Sequence, residues 1–170
     1  WMHDYRIVIG VVVPEAATRR RCHPHPWNRQ FGKPRGSEAQ KTQRGFAVKT
    51  DTFLEQIFPL LITGDRPKAR TVVAEAITSG WTPEEVAENG FWPVLESIQS
   101  LYRSDQMTNL AHHYATRLLR NLVDQVQAGY NKQESNNKTI LIFCGPCESD
   151  DLAAQIVADL CEADGWQVKF

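Results

Sequence analysis

The sequence predicts a chain of the α plus α/β class, a helical bundle followed by one incomplete βαβ unit. Three observations predict it. Apolar residues recur at helical spacing between residues 51 and 130, with glycines at the expected stops. A polar stretch, "NKQESNNK" (131–138), then interrupts the chain without one apolar residue. After it come a strand pattern, a helical pattern and a second strand pattern, the grammar of βαβ. The expected organisation is therefore a tail over 1–50, a helical unit over 51–130, a linker over 131–138 and the start of an α/β unit over 139–170.

The tail is set apart by charge. Residues 1–50 hold ten Lys/Arg against three Asp/Glu, whereas 51–170 hold nine against seventeen. Residues 14–50 are rich in Arg, Pro, Gly, Gln and Ser without a helical or strand period, so a disordered basic tail is expected, with "RIVIGVVV" a short strand at most. "CHPHPW" (22–27) offers Cys22, His23 and His25, but the spacing fits no closed zinc site. The acidic remainder argues against a nucleic-acid-binding face there.

The helices follow in order. In "TDTFLEQIFPLLITGD", Phe53, Leu54, Ile57, Leu60 and Leu61 form one stripe, ended by Gly64-Asp65. "DRPKARTVVAEAITSG" opens on an Asp cap and an early Pro and closes on Gly80. "TPEEVAENG" repeats the device, with Thr82 as cap, Pro83 at the first helical position and Gly90 as stop. "FWPVLESIQSLYRSDQ" is a fourth helix. The fifth and longest, "MTNLAHHYATRLLRNLVDQVQAGY", carries Leu110, Tyr114, Leu118, Leu122 and Val126 at every fourth position. Short turns between these helices predict a bundle.

Beyond the linker, "TILIF" (139–143) is apolar almost throughout, as a parallel strand covered on both faces requires. A helix over 149–164, a stop at Gly165 and the strand "WQVKF" (166–170) complete one βαβ. A third strand beside 139–143 is missing from this order, so an open sheet edge, and with it self-association, is expected. The sequence reads as stopping inside a fold, and its first residue is Trp rather than Met.

Cys22, Cys144, Cys147 and Cys161 show no secretory framework, so a reducing, cytoplasmic setting is expected. No apolar run reaches the ~20 residues of a membrane span. Around "IVIGVVV" the basic residues follow the apolar segment, the reverse of a signal peptide.

"CGPC" (144–147) before a helix is the pattern of thiol oxidoreductases, where the helix N-terminus activates the first thiolate. Here no aromatic-containing segment lies between strand and motif, Phe143 leading straight into Cys144, no Pro interrupts the next helix, and Glu148, Asp150 and Asp151 would raise a nearby thiol pKa. The competing reading is a βα turn shaped by Gly145 and Pro146, with cysteines packed as small hydrophobes.

The order of bundle, polar linker and βα unit resembles the cobalamin-binding module of corrinoid-dependent methyltransferases and light-sensing regulators. "FPLLITGDRPKARTVVAEAITSGWTPEEVAENGFWPVLESI" resembles the opening of the helical cap in that family. The resemblance implies a corrin held between cap and a flavodoxin-like (Rossmann-like) domain. Relatives carry a Trp followed about eleven residues later by Glu-His. Tyr102 stands at the Trp position, and His112-His113 at the Glu-His position. Tyr102 and His113 would then face the upper side of the corrin, with His113 as a cobalt ligand. Adjacent helical residues point about 100° apart, so the two histidines cannot face one ligand equally.

After the first strand the family carries Asp/Glu-x-His-x-x-Gly, whose His sits beneath cobalt. Here "ESDDLA" places Glu148 at the acid, Asp150 at the His and Ala153 at the Gly. The resemblance puts Gly145, Glu148, Ser149 and Asp150 in a turn under the corrin. Asp150, a hard oxygen donor, is a poor stand-in for imidazole.

The implied function is a cobalamin-binding carrier or sensor, more a binding module than a self-sufficient enzyme, working with a regulator or methyltransferase partner. The alternatives are a degenerate interaction module that binds no corrin, and the CGPC oxidoreductase.

Overall fold

The computed structural model describes residues 8–12 and 37–169, with side chains from residue 50 onward. The Cys22, His23 and His25 group lies outside the described residues. The elements in chain order are β1 (Val8–Val12), α1 (Ser37–Thr63), α2 (Arg66–Thr78), α3 (Pro83–Glu85), a widened turn (Val86–Phe91), α4 (Trp92–Arg103), α5 (Asn109–Gln127), β2 (Thr139–Phe143), α6 (Glu148–Ala163) and β3 (Gln167–Lys169).

The first helix corrects the tail boundary. It begins at Ser37, inside the stretch expected to be disordered. Its first turns, "SEAQKTQR", contain strong helix formers and no proline, and they continue without a break into the apolar stripe. On that stripe Phe53, Ile57 and Leu61 are buried, and Leu54 and Leu60 are partly so. Gly64 (φ 72°) and Gly80 (φ 100°) end α1 and α2 in the left-handed region that glycine tolerates. The Asp65 side chain accepts the Lys68 N–H to cap α2.

Thr82 opens α3 with a full capping box. Its hydroxyl accepts the Glu85 N–H at 3.1 Å, and the Glu85 carboxylate accepts the Thr82 N–H at 2.9 Å. Thr82→Ala is expected to lower stability by about 1 kcal/mol. Urea unfolding measures this, and a change near zero would mean the box is redundant with packing.

Gly90 does not stop the helix as expected. The chain runs through it in the widened turn and into α4, with the Trp92 N–H reaching back to the Ala87 carbonyl. Pro93 lacks an N–H, and a looser turn before it avoids the clash its ring would make in a regular helix. Gly90 has a packing role instead: the Phe53 ring lies where a side chain would start, 2.9 Å from an ideal Cβ.

The α5 stripe is also corrected. Leu118, Leu122 and Val126 are buried, but Leu110 and Tyr114 are 62% and 52% exposed. A spacing of four overshoots the helical turn, so such a stripe drifts by about 40° per step. The face turned inward is filled instead by Ala115, Thr116, Leu119 and Val123.

Helix α6 joins the two halves. Leu152, Ala153, Ile156 and Ala163 enter the same core as Phe53, Phe91, Ile98 and Leu119. Ala154 and Ala158 face the other way, onto Ile140 and Ile142 of β2. The layers are thus bundle, α6 and sheet. The 131–138 segment is stitched to both sides. The Gln133 N–H donates to the Ala163 carbonyl at 2.7 Å, Asn136 N–H to Gly165 O at 2.9 Å, and Asn131 N–H to Glu84 Oε1 at 2.6 Å.

The sheet has the order β1-β2-β3. β2 and β3 are parallel, as the βαβ pattern requires, with Ile140 opposite Val168. β1 pairs antiparallel to the other side of β2, Val8 opposite Phe143 and Val12 opposite Thr139. The β2 edge expected to be open is therefore filled, and the argument for self-association through it falls. Among the described residues no helix is long and apolar enough to cross a membrane.

Candidate functional site at the junction of α4, α5 and α6

Three helix ends meet where the resemblance placed its residues. The C-terminal end of α4 supplies Tyr102, the first turns of α5 supply His112 and His113, and the N-terminus of α6 supplies Glu148, Ser149 and Asp150. Thr108 fixes the start of α5 by accepting the Ala111 N–H on its hydroxyl at 3.2 Å.

The two histidines diverge as adjacent helical residues must. His112 turns to α4, where its ring stacks on Tyr102 with centroids 4.0 Å apart and planes 21° apart. The Tyr102 hydroxyl donates to Asn109 Oδ1 at 2.7 Å and so fixes the stack. Burial pushes the His112 pKa below the ordinary histidine value; the Glu148 carboxylate opposes this, and His113 adds to it. Its Nε2 is buried without a hydrogen-bond partner. His113 turns to α6, and its Nδ1 lies 2.9 Å from Glu148 Oε2.

The α6 side is arranged around the same point. Ser149 is buried. The Asp150 carboxylate folds back onto the turn, where Oδ2 occupies the space a side chain on Gly145 would need. Its Oδ1 is buried and unpartnered. Gly145 and Pro146 shape the βα turn as expected, but the cysteines do not pack: Cys144 and Cys147 are both exposed and free. The turn projects from the sheet end, so neither thiol reaches a core.

Arg120, which the sequence reading missed, holds this junction together. It lies two turns after His113 on the same side of α5. One guanidinium donates to Asp151 Oδ2 at 2.7 Å, Gln155 Oε1 at 3.0 Å and the Glu148 carbonyl at 3.3 Å. Further along, Gln155 Nε2 donates to Asp124 Oδ1 at 2.6 Å and Gln127 Nε2 to Asp159 Oδ1 at 2.8 Å. The pairs advance together along both helices, so α5 and α6 run parallel with a polar ladder between them. Arg120 is one of several polar residues of α5, so no spacing in the sequence singled it out.

Beside the junction, a cleft of about 540 Å³ opens between α4 and α6, with Trp92, Leu95 and Ala153 as apolar surface and Gln99 and Arg103 as polar lining. Among the described residues no group of three His, Cys, Asp or Glu can hold a metal ion. A metal meeting His113 must therefore bring most of its own ligands. An imidazole suits that role, and the Asp150 carboxylate does not suit the place of a second one.

Residues 53–127 match the model of the family described as B12 binding domain. The matched segment runs from the buried Phe53 of α1 through all of α5 and contains Tyr102, His112, His113 and Arg120. No curated protein matches the chain.

Proposed function

We propose that this chain, whose residues 53–127 carry the helical part of a cobalamin-binding module, is a carrier or sensor of a corrinoid. The family match over those helices carries the reading. Convergence of Tyr102, His113 and the 145–150 turn on one junction supports it. In this reading the corrin lies between the helical unit and the α6 end of a flavodoxin-like unit. The Tyr102–His112 stack presents a flat aromatic wall to it, and His113 is the nitrogen donor to cobalt. Bound cobalamin would supply a cobalt able to exchange ligands. The chain's own part is to bind, shield and orient it, in a reducing cytoplasm and alongside a regulator or methyltransferase partner.

Asp150 and Ala153 set the departure from the usual lower face. With no imidazole at 150, the α6 turn would offer no nitrogen donor, and among the described residues His113 would be the histidine that holds the metal.

An absorbance titration of the purified chain with hydroxocobalamin and adenosylcobalamin tests this. A saturable shift of the visible bands that weakens in His113→Ala is the expected result. Unchanged bands with both cobalamins would sink the reading and leave a module that works through protein contacts alone.

A further inference from the structure

A second cleft, of about 360 Å³, opens between the α1–α2 turn at Gly64 and the first half of α5. Its volume lies in the range of small-ligand pockets. Tyr114, Arg117, Leu118 and Asn121 line it from α5, and Arg66 borders it from the start of α2. We propose that this cleft binds a small organic phosphate. The Arg66 and Arg117 guanidiniums grip the phosphate, and the apolar part of the ligand lies against Tyr114 and Leu118. The proposal is independent of the corrinoid reading.

The chain assembles the cleft by simple means. Residues 114, 117, 118 and 121 recur at three- and four-residue steps, so they share one side of α5. The side that meets α6, marked by Arg120 and Asp124, lies about 90° further round. Gly64, at φ 72°, reverses the chain and brings Arg66 to the same cleft.

Charge then selects the ligand. Residues 51–170 hold nine Lys/Arg against seventeen Asp/Glu, so carboxylates are in excess. Arg120 has found one, in Asp151. Arg66 and Arg117 have not: among the described residues neither side chain makes an ion pair or a hydrogen bond. Asp65, next to Arg66 in sequence, is turned to Lys68 instead, with Oδ1 accepting its N–H at 3.2 Å and Oδ2 lying 2.8 Å from Nζ. No residue lining the cleft is acidic. Asn121 spends its Nδ2 on the Arg117 carbonyl at 2.7 Å, so anion recognition falls to the guanidiniums. Paired guanidiniums suit a phosphate, whose oxygens accept their forked N–H groups. Beside them Leu118 is buried, while the Tyr114 ring is left half exposed, an apolar surface for the rest of the ligand.

Calorimetric titration of the full chain, without corrinoid, tests this with phenyl phosphate, and with inorganic phosphate and phenol for comparison. Saturable binding of phenyl phosphate is expected, weaker binding of inorganic phosphate and none of phenol. Arg66→Gln and Arg117→Gln should each weaken phenyl phosphate about 10-fold, and added salt should weaken it in the wild type. Lys132→Gln removes the same charge beyond the end of α5 and should leave binding unchanged. Tyr114→Ala should weaken phenyl phosphate and spare inorganic phosphate. Arg66, Tyr114 and Arg117 are exposed, so urea midpoints of these variants should match the wild type. No saturable binding of phenyl phosphate by the wild-type chain would overturn the proposal. Equal losses in Arg117→Gln and Lys132→Gln would also overturn it, because diffuse charge would then account for the binding. Inorganic phosphate binding as tightly as phenyl phosphate would remove the role given to Tyr114 and Leu118.

Discussion

Replacing Gly165 by valine is expected to cost about 3–4 kcal/mol, a sum of backbone strain and broken hydrogen bonds. Gly165 has φ 81°, where a β-branched residue is strongly disfavoured. It is buried, and a Cβ there would meet the carbonyl of Glu134. That neighbour is backbone, held by the Gln133 and Asn136 bonds to Ala163 and Gly165, and it cannot swing aside as a side chain would. Accommodating valine breaks at least one of those bonds. For a domain of this size the melting temperature should fall by roughly 10 °C. A loss below 1 kcal/mol would mean that the 131–138 segment yields, and that its stitching to α6 contributes little.

The second large effect concerns Asp159. Burial, with Glu162 and Asp124 nearby, raises its carboxyl from the usual 3.8 to about 6, against hydrogen bonds from Gln127 and Gln155 that lower it. One oxygen, Oδ2, has no partner, and the buried Tyr130 hydroxyl is also unpaired. The folded state thus holds a proton between pH 4 and 6 that the unfolded state has released. Stability contributed by this group is present below the unfolded value and is lost as pH rises through about 6. The full shift corresponds to somewhat under 3 kcal/mol; allowing for solvent screening, about 2 kcal/mol is expected. Asp159→Asn should remove the slope and stabilise the chain at pH 7 by a similar amount. Urea midpoints of both chains between pH 4 and 8 measure it. Parallel curves would show that Asp159 is solvated and ionised throughout.

How much of this was legible in the sequence depends on the range of the interaction. Asp65, Thr82, Gly64 and Gly80 act on their own helix ends, and each does what its local pattern implied. Features decided by distant partners were not legible. Gly90 looked like a stop, yet its conformation answers to Phe53 and Pro93. The exposure of Leu110 and Tyr114 follows from helical drift that a fixed spacing hides. The pairing of β1 with β2 joins segments at opposite ends of the sequence, and nothing within either encodes the match.

The candidate site divides the same way. Tyr102, His112, His113 and Glu148 were marked by their place in a resembling pattern. Their allocation was not: His112 went to Tyr102 and His113 to Glu148 because of the angle between α4 and α6 around α5. Arg120 carried no motif and is recognised only once α6 lies beside it.

The β1–β2 pairing also orders events in time. During synthesis Val8–Val12 is made first among the described elements, and its partner Thr139–Phe143 follows only after all of the bundle helices. The helices close through contacts near in sequence and can form early, whereas this ladder bridges nearly the whole chain and must wait. Until β2 arrives, the strand carries unpaired backbone N–H and C=O groups beside a forming helical core. That interval, rather than the finished fold, is when the chain is most exposed to pairing with another copy of itself.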